Sequence, residues 1–195
     1  GAVAGLSGST TGTIRWQQGV TAPDNCIATD ASGTVDLPAS CPFKAPYDVM
    51  HIQDGLPSGD TIKCVPVFDT FTGIIRTPGG PLGGELEQFT ATLTLKMTGT
   101  GSLGGTFTST LPVLPLVSFA AATRLPGMPQ QIIPLECIQL MGQITGDPDF
   151  DLLRVTAGSS FGYPSPGQAT LTRLPSGDWN VDSFFDITYR IDFIG

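Results

Sequence analysis

The chain has 195 residues, of which 9 are Lys or Arg and 17 are Asp or Glu, so its formal net charge is −8. A phosphate backbone is bound by clustered Lys and Arg, and here no two basic residues are adjacent, so we expect no nucleic-acid partner. Hydrophobic residues make up 40% of the chain, too many for a disordered protein, and the 25 Gly and 17 Pro are typical of a turn-rich β protein.

The longest uncharged apolar stretch, residues 111–122, is interrupted by prolines. A bilayer-spanning helix needs about 20 apolar residues, so we expect no membrane span. Four cysteines, an even number, together with only three lysines favour an oxidising compartment. We therefore predict an extracellular or cell-surface location.

Strand patterns occur along the whole chain, whereas no segment keeps helical apolar spacing over three turns without a Gly or Pro. The sequence predicts an all-β protein with little or no helix, a single domain over residues 1–195. It is arranged either as a β-sandwich or as two related antiparallel β lobes that arose by internal duplication.

The first predicted strand follows a Gly-rich turn and contains Leu6, Thr11, Thr13 and Ile14. Threonine and isoleucine suit a strand because their branched side chains pack well on a pleated surface. This strand lies at the opposite end of the sequence from the last predicted strand.

Four cysteines allow three disulfide pairings. Cys26 and Cys41 flank a polar loop, while Cys64 and Cys137 lie in two separate strand-like runs. We predict a local Cys26–Cys41 disulfide and a Cys64–Cys137 disulfide between strands, with buried free thiols as the alternative. A thiol-based zinc site is not expected, because there is no C-x-x-C motif and the only histidine is His51.

Acidic residues are spaced at i, i+2, i+4 in Asp147, Asp149 and Asp151. Such carboxylates can converge on Ca²⁺, which prefers several oxygen ligands, so these three residues are a candidate calcium site. The EF-hand pattern is incomplete, because its Gly and Glu positions hold Leu152 and Gly158. An ordinary Asp-Pro turn is the alternative, and we expect no other cofactor.

Residues 158–162 match the G-x-S-x-G pattern of α/β-hydrolases. The prolines that follow cannot begin the required helix, and His51 is the only available base, so we predict a loop between strands and no enzyme. Trp16, Trp179 and Tyr163 are candidates for a sugar-stacking platform.

The last predicted strand has five apolar residues in strict alternation: Phe185, Ile187, Tyr189, Ile191 and Phe193. It resembles residues 89–97 after a shift of 96 positions. The earlier copy continues through a Gly-rich turn into a returning strand at 104–111, whereas the matching continuation of the later copy is the opening segment at 6–14. The predicted halves are therefore residues 15–111, and 112–195 together with 1–14.

Because the matching continuation of the later copy lies at the other end of the sequence, three arrangements are possible. The first and last strands can pair within one molecule, or the last strand of one molecule can pair with the first strand of the next, or the chain can be a piece of a longer tandem array. A contact between neighbours that does not close on itself makes a filament.

Three segments, residues 158–167, 181–194 and 6–14, resemble repeat modules of large secreted β-rich surface proteins of environmental bacteria. This resemblance implies an extracellular, structural role. We therefore predict a structural subunit that assembles with copies of itself, head-to-tail through its terminal strands, into a fibre or surface layer. A secreted adhesin or carbohydrate-binding β-sandwich module is the alternative.

Overall fold

The computed structural model describes residues 1–19, 26–29, 37–125 and 127–195, with the side chains at 114–115 excepted. Part of the predicted loop between Cys26 and Cys41, residues 30–36, lies outside this range. The predicted all-β fold is confirmed, because the described residues form eleven strands and only two short 3-10 turns, at Gly101–Leu103 and Ser159–Phe161. The strands are β1 (Ser7–Gln18), β2 (Ile27–Ala28), β3 (Phe43–Lys44), β4 (Met50–Ile52), β5 (Ile62–Pro78), β6 (Gly83–Gly99), β7 (Gly105–Ala122), β8 (Gln130–Thr145), β9 (Leu152–Ala157), β10 (Pro166–Arg173) and β11 (Trp179–Ile194).

All eleven strands belong to one sheet, and a path through eight of them, including the two-residue strand β3, returns to its start. The order is β1, β3, β5, β6, β7, β8, β10 and β11, after which β11 pairs with β1. The short strand β4 pairs with β5, β9 pairs with both β8 and β11, and β2 pairs with the start of β11. Closure of the ring therefore depends on the two strands that lie nearest the chain ends.

Alternation of apolar and polar residues determines which face of each strand points into the ring. In β11, the five apolar residues of the predicted alternation are all buried, while their neighbours are at least partly exposed. The buried apolar side chains form one cluster to which both predicted halves contribute. Aromatic side chains meet at its centre, with the Phe119 and Phe185 rings 4.5 Å apart and the Phe43 and Phe185 rings 5.6 Å apart.

The two segments that resemble each other in sequence both form antiparallel strand pairs. The hairpin of β6 and β7 places Leu93 opposite Leu111. The counterparts of these residues are Tyr189 and Ile14, but Tyr189 lies opposite Gly12 and Ile14 lies opposite Ile187. The register thus differs by two residues, which keeps the same side chains on the inner face because side chains alternate with a period of two.

The predicted Cys26–Cys41 disulfide is confirmed, with Cα atoms 5.7 Å apart and a sequence separation of 15. In the chain-entropy model, closing a loop of this length stabilises the folded state by about 3 kcal/mol. The predicted Cys64–Cys137 disulfide is wrong, because both thiols are free and buried. Cys64 lies on β5 and Cys137 on β8, and these strands are separated in the sheet by β6 and β7.

Candidate functional site: the seam between the terminal strands

The terminal strands pair with each other within one chain, which is the first of the three arrangements left open by the sequence. Twelve antiparallel register pairs run from Ser7 opposite Ile194 to Gln18 opposite Ser183, and we call this joint the seam. Leu6 extends it by one hydrogen bond, because its carbonyl accepts from the Gly195 N–H at 2.7 Å. The residues predicted to carry assembly lie on or beside the seam: Leu6, Thr11, Thr13 and Ile14 on one side, and Phe185, Ile187, Tyr189, Ile191 and Phe193 on the other.

The inner face of β1 forms part of the core. Ile14 lies opposite Ile187, and Trp16 lies opposite Phe185, with all four side chains buried. The Trp16 ring also lies 5.3 Å from that of Phe68 on β5. Burial of a large apolar side chain contributes about 1.5–3 kcal/mol. Burial of Ile14 and Trp16 therefore strongly stabilises the pairing of β1 with β11.

A glycine on the inner face lets one side chain cross the seam. An ideal Cβ on Gly12 would lie only 2.6 Å from the Tyr189 hydroxyl oxygen. The Tyr189 side chain therefore occupies the space above Gly12, and its hydroxyl accepts a hydrogen bond from the His51 N–H of β4 at 3.1 Å. Burial raises the pKa of Tyr189, so this hydroxyl keeps its proton. One side chain thus links β11, β1 and β4.

The outer face of the seam carries pairs that favour a single register. Arg15 lies opposite Asp186 and donates from Nε and Nη2 at 2.8 and 2.9 Å, while its guanidinium lies 4.0 Å from the centre of the Phe184 ring. The charged side chains are 49% and 40% exposed, so the ion pair is worth at most about 1 kcal/mol. Because a cross-strand pair loses its contact when the register slips, these residues contribute more to alignment than to stability.

The strand β1 ends in a buried polar residue, Gln18. The Gln18 side-chain amide donates to the Ala39 carbonyl at 2.8 Å and to the Cys41 carbonyl at 2.6 Å. Its amide oxygen accepts from the Ser183 hydroxyl at 3.0 Å. These bonds connect the end of the seam to the disulfide-closed loop, and they satisfy a polar side chain that would otherwise be costly to bury.

A buried carboxyl lies behind this end of the seam. Glu87 shares a small cavity with Gln18 and Ser183, and its own side chain is almost fully inaccessible. Burial, together with a hydrogen bond and charge repulsion from Glu85, raises the pKa of Glu87 well above its ordinary value. The Arg124 Nη2 lies 3.5 Å from the Glu87 Oε1 and 2.5 Å from the Glu85 Oε2. The positive charge of Arg124 partly offsets the rise in the pKa of Glu87.

The predicted calcium site is not formed, because Asp147, Asp149 and Asp151 do not gather into a group that could hold a metal ion. The Asp147 carboxylate instead accepts from the Asp149 N–H at 2.9 Å. Between them and Asp151, Phe150 turns inward and packs against Phe107 at 5.8 Å between ring centres. Phe150 is therefore part of the core, whereas the three aspartates are partly or fully exposed.

The remaining sequence candidates lie away from the seam or within the core. Residues 158–162 form a loop between β9 and β10 that includes one 3-10 turn, as predicted. Trp16 and Trp179 are 1% and 3% exposed, so neither belongs to an exposed sugar-stacking platform. Tyr163 remains at the surface, where it lines a cleft together with Phe161 and Arg190.

A comparison of the chain with family models, curated protein sequences and solved structures found no match. Within the described ranges, no helix is long and apolar enough to cross a membrane. Interpretation of the function therefore depends on the geometry of the molecule itself.

Proposed function

We propose that the chain is an extracellular structural subunit that assembles into a fibre or surface layer when β1 leaves its own β11 and pairs with β11 of a neighbour. The single observation that supports this most is the seam, in which a strand at one chain end forms twelve register pairs with a strand at the other. The disulfide Cys26–Cys41 supports an oxidising, extracellular setting.

Exchange of β1 would replace each contact by the same contact between two molecules. Ile14 and Trp16 would enter the core of the neighbour, and the Gln18 side chain would donate to the Ala39 and Cys41 carbonyls of that neighbour. Exchange of an identical element is a low-cost route to association, because the folded interactions are conserved. Every subunit would donate one β1 and accept another, so donation that does not close on itself would extend a fibre.

The chemistry of the joint predicts how such a fibre responds to salt. Main-chain hydrogen bonds and apolar burial provide most of the joint, whereas the Arg15–Asp186 pair is exposed. Exposed ion pairs are screened by salt, but apolar burial is not weakened by it. Fibres joined through the seam should therefore persist in concentrated salt.

A synthetic peptide of residues 1–18 tests the proposal directly. If subunits are refolded at high concentration, they should form filaments visible by electron microscopy. The peptide in excess should shorten these filaments, because it occupies β11 but has no β11 of its own. The matched control is the same peptide with Ile14→Asp, which places a charge on the buried face and should have no effect.

A chain that lacks residues 1–14 provides the complementary test, because it can accept a strand but donate only a remnant of one. It should form no filaments and should bind the peptide of residues 1–18. Monodisperse monomers of the full chain at every concentration, or filaments of normal length in the presence of the peptide, would contradict the proposal.

A further inference from the structure

A surface cleft lies on the outer face of the ring, beneath the loop that connects β9 and β10. Its floor is formed by β9 and β11, where Arg154 lies opposite Asp192 and Thr156 lies opposite Arg190. The cleft has a volume of about 320 Å³ and is open to solvent. This is the size range of sites that hold one or two rings of a small ligand.

The charge of the cleft is opposite to that of the chain. Two guanidinium groups line it, against the single carboxylate of Asp192. That carboxylate already accepts hydrogen bonds from the Arg190 Nε at 2.8 Å and from the Ser9 hydroxyl. In the described structure the only hydrogen bond of the Arg154 side chain joins its Nε to Gln143 at 2.8 Å, so its Nη groups remain available. The cleft therefore presents unneutralised positive charge on a protein of net charge −8.

The loop above the floor supplies two aromatic side chains, Phe161 and Tyr163. Phe161 is 42% exposed, although phenylalanine is among the residue types most often buried. The loop is held by two hydrogen bonds to the Gly158 carbonyl, from the Phe161 and Tyr163 N–H groups, each at 3.1 Å. Gly158 has φ 106°, a backbone conformation that favours glycine, and this residue therefore allows the turn that begins the loop.

We infer that this cleft binds a sugar ring that carries a carboxylate, such as a residue of an acidic polysaccharide. A guanidinium matches a carboxylate with two parallel N–H bonds, and the free Nη groups of Arg154 provide this geometry. The exposed aromatic faces suit the apolar C–H face of a sugar, and the hydroxyls of Thr156 and Tyr163 suit its polar edge. Two arginines would repel a cationic ligand, and a neutral sugar would leave the Arg154 charge unmatched.

This inference is independent of strand exchange, because the cleft is formed by β8, β9, β11 and their loop. An exchanged β1 would bring the neighbour's Ser9 to the same place beside Asp192. A subunit could therefore bind the saccharide as a monomer or in a fibre, and either proposal can fail without the other.

The test is titration calorimetry with a tetramer of galacturonic acid and with the same tetramer fully methyl-esterified. The acid form should bind with a dissociation constant of about 0.1–1 mM, and the neutral ester at least about tenfold more weakly. Arg154→Gln should weaken binding of the acid form by about tenfold or more, while Phe161→Ala should weaken both forms.

The matched control is Arg173→Gln, which removes the same charge from an exposed position on β10 outside the cleft. It should leave binding unchanged, and all variants should keep the unfolding midpoint of the parent protein. Equal binding of acid and ester, equal losses in Arg154→Gln and Arg173→Gln, or no binding of the acid form would each overturn the inference.

Discussion

Replacement of Gly12 by alanine should weaken the seam much more than its small size suggests. The new Cβ would lie 2.6 Å from the Tyr189 Oη and 2.8 Å from its Cζ, whereas comfortable contacts need about 3.5 Å. The Tyr189 side chain is 2% exposed and has little room to move aside. Overpacking costs about 1–3 kcal/mol, and loss of the His51 N–H bond to Tyr189 adds about 1–3 kcal/mol, so we expect a total of about 2–6 kcal/mol.

Urea unfolding of four chains measures this effect: the parent, Gly12→Ala, Tyr189→Leu and the double variant. The leucine removes the atoms that the new Cβ would meet. The free energy of unfolding lost in the double variant should therefore be smaller than the sum of the two single losses by at least about 1 kcal/mol. Gly104→Ala is the matched control, because the nearest atom to its Cβ would be 3.6 Å away, and it should change stability by less than about 0.5 kcal/mol. Additive losses in the double variant would refute the proposed contact.

Three further predictions follow from buried groups. Because burial raises the pKa of Glu87 above its ordinary value of 4.5, the folded state holds this proton more tightly, and the resulting stability is lost as the pH rises through the raised value. The urea midpoint of Glu87→Gln should therefore fall less than that of the parent as the pH rises above 4.5, and parallel curves would contradict this. Burial raises the pKa of the Cys64 thiol to about 12 and that of Cys137 even further, so neither thiol should react with a thiol reagent in the folded protein at pH 8, whereas two should react in denaturant without reductant. If no thiol reacts in denaturant, Cys64 and Cys137 must form the second disulfide, which would contradict this prediction. Phe150→Ala should cost about 3–5 kcal/mol, whereas calcium should leave the melting temperature unchanged; a rise with calcium that Asp149→Asn abolishes would show a metal site at this turn.

The sequence predicts the strands well because alternation depends only on neighbours in the chain. The buried face of β11, from Phe185 to Phe193, could be identified residue by residue. The pairing of Cys64 with Cys137 failed for the opposite reason. Both were correctly placed in strands, but only the closed order of the sheet shows that β6 and β7 separate them.

The close contact within the seam and the surface cleft left weaker signals in the sequence. Gly12 has the same parity as Ile14 and Trp16, and a glycine on the inner face of a strand often marks a close approach by another group. That signal does not identify Tyr189 as the approaching residue, because the register between the chain ends is not determined by any connecting turn. The cleft was equally hidden, since Arg154 and Arg190 become neighbours only through the pairing of β9 with β11.

In the proposed fibre the seam would be the same as in the monomer, and only the molecule that supplies β1 would differ. The pairing within one chain shows that the two strands fit each other, including the crossing of Tyr189 over Gly12. Exchange requires β1 to detach, so assembly should be favoured by partial unfolding and high protein concentration. Once formed, a fibre should be slow to dissociate, because each joint buries Ile14 and Trp16.

Covalent trapping of the seam tests the central claim most directly. Thr13 and Thr188 are register partners on the outer face, with their hydroxyl oxygens 3.1 Å apart, so Thr13→Cys with Thr188→Cys should form a disulfide across the seam. After assembly and oxidation, non-reducing denaturing electrophoresis should show a ladder of covalent oligomers, while Thr13→Cys alone should give no product larger than a dimer. A single monomer band from the double variant, with all of its new disulfide formed within one chain, would contradict strand exchange.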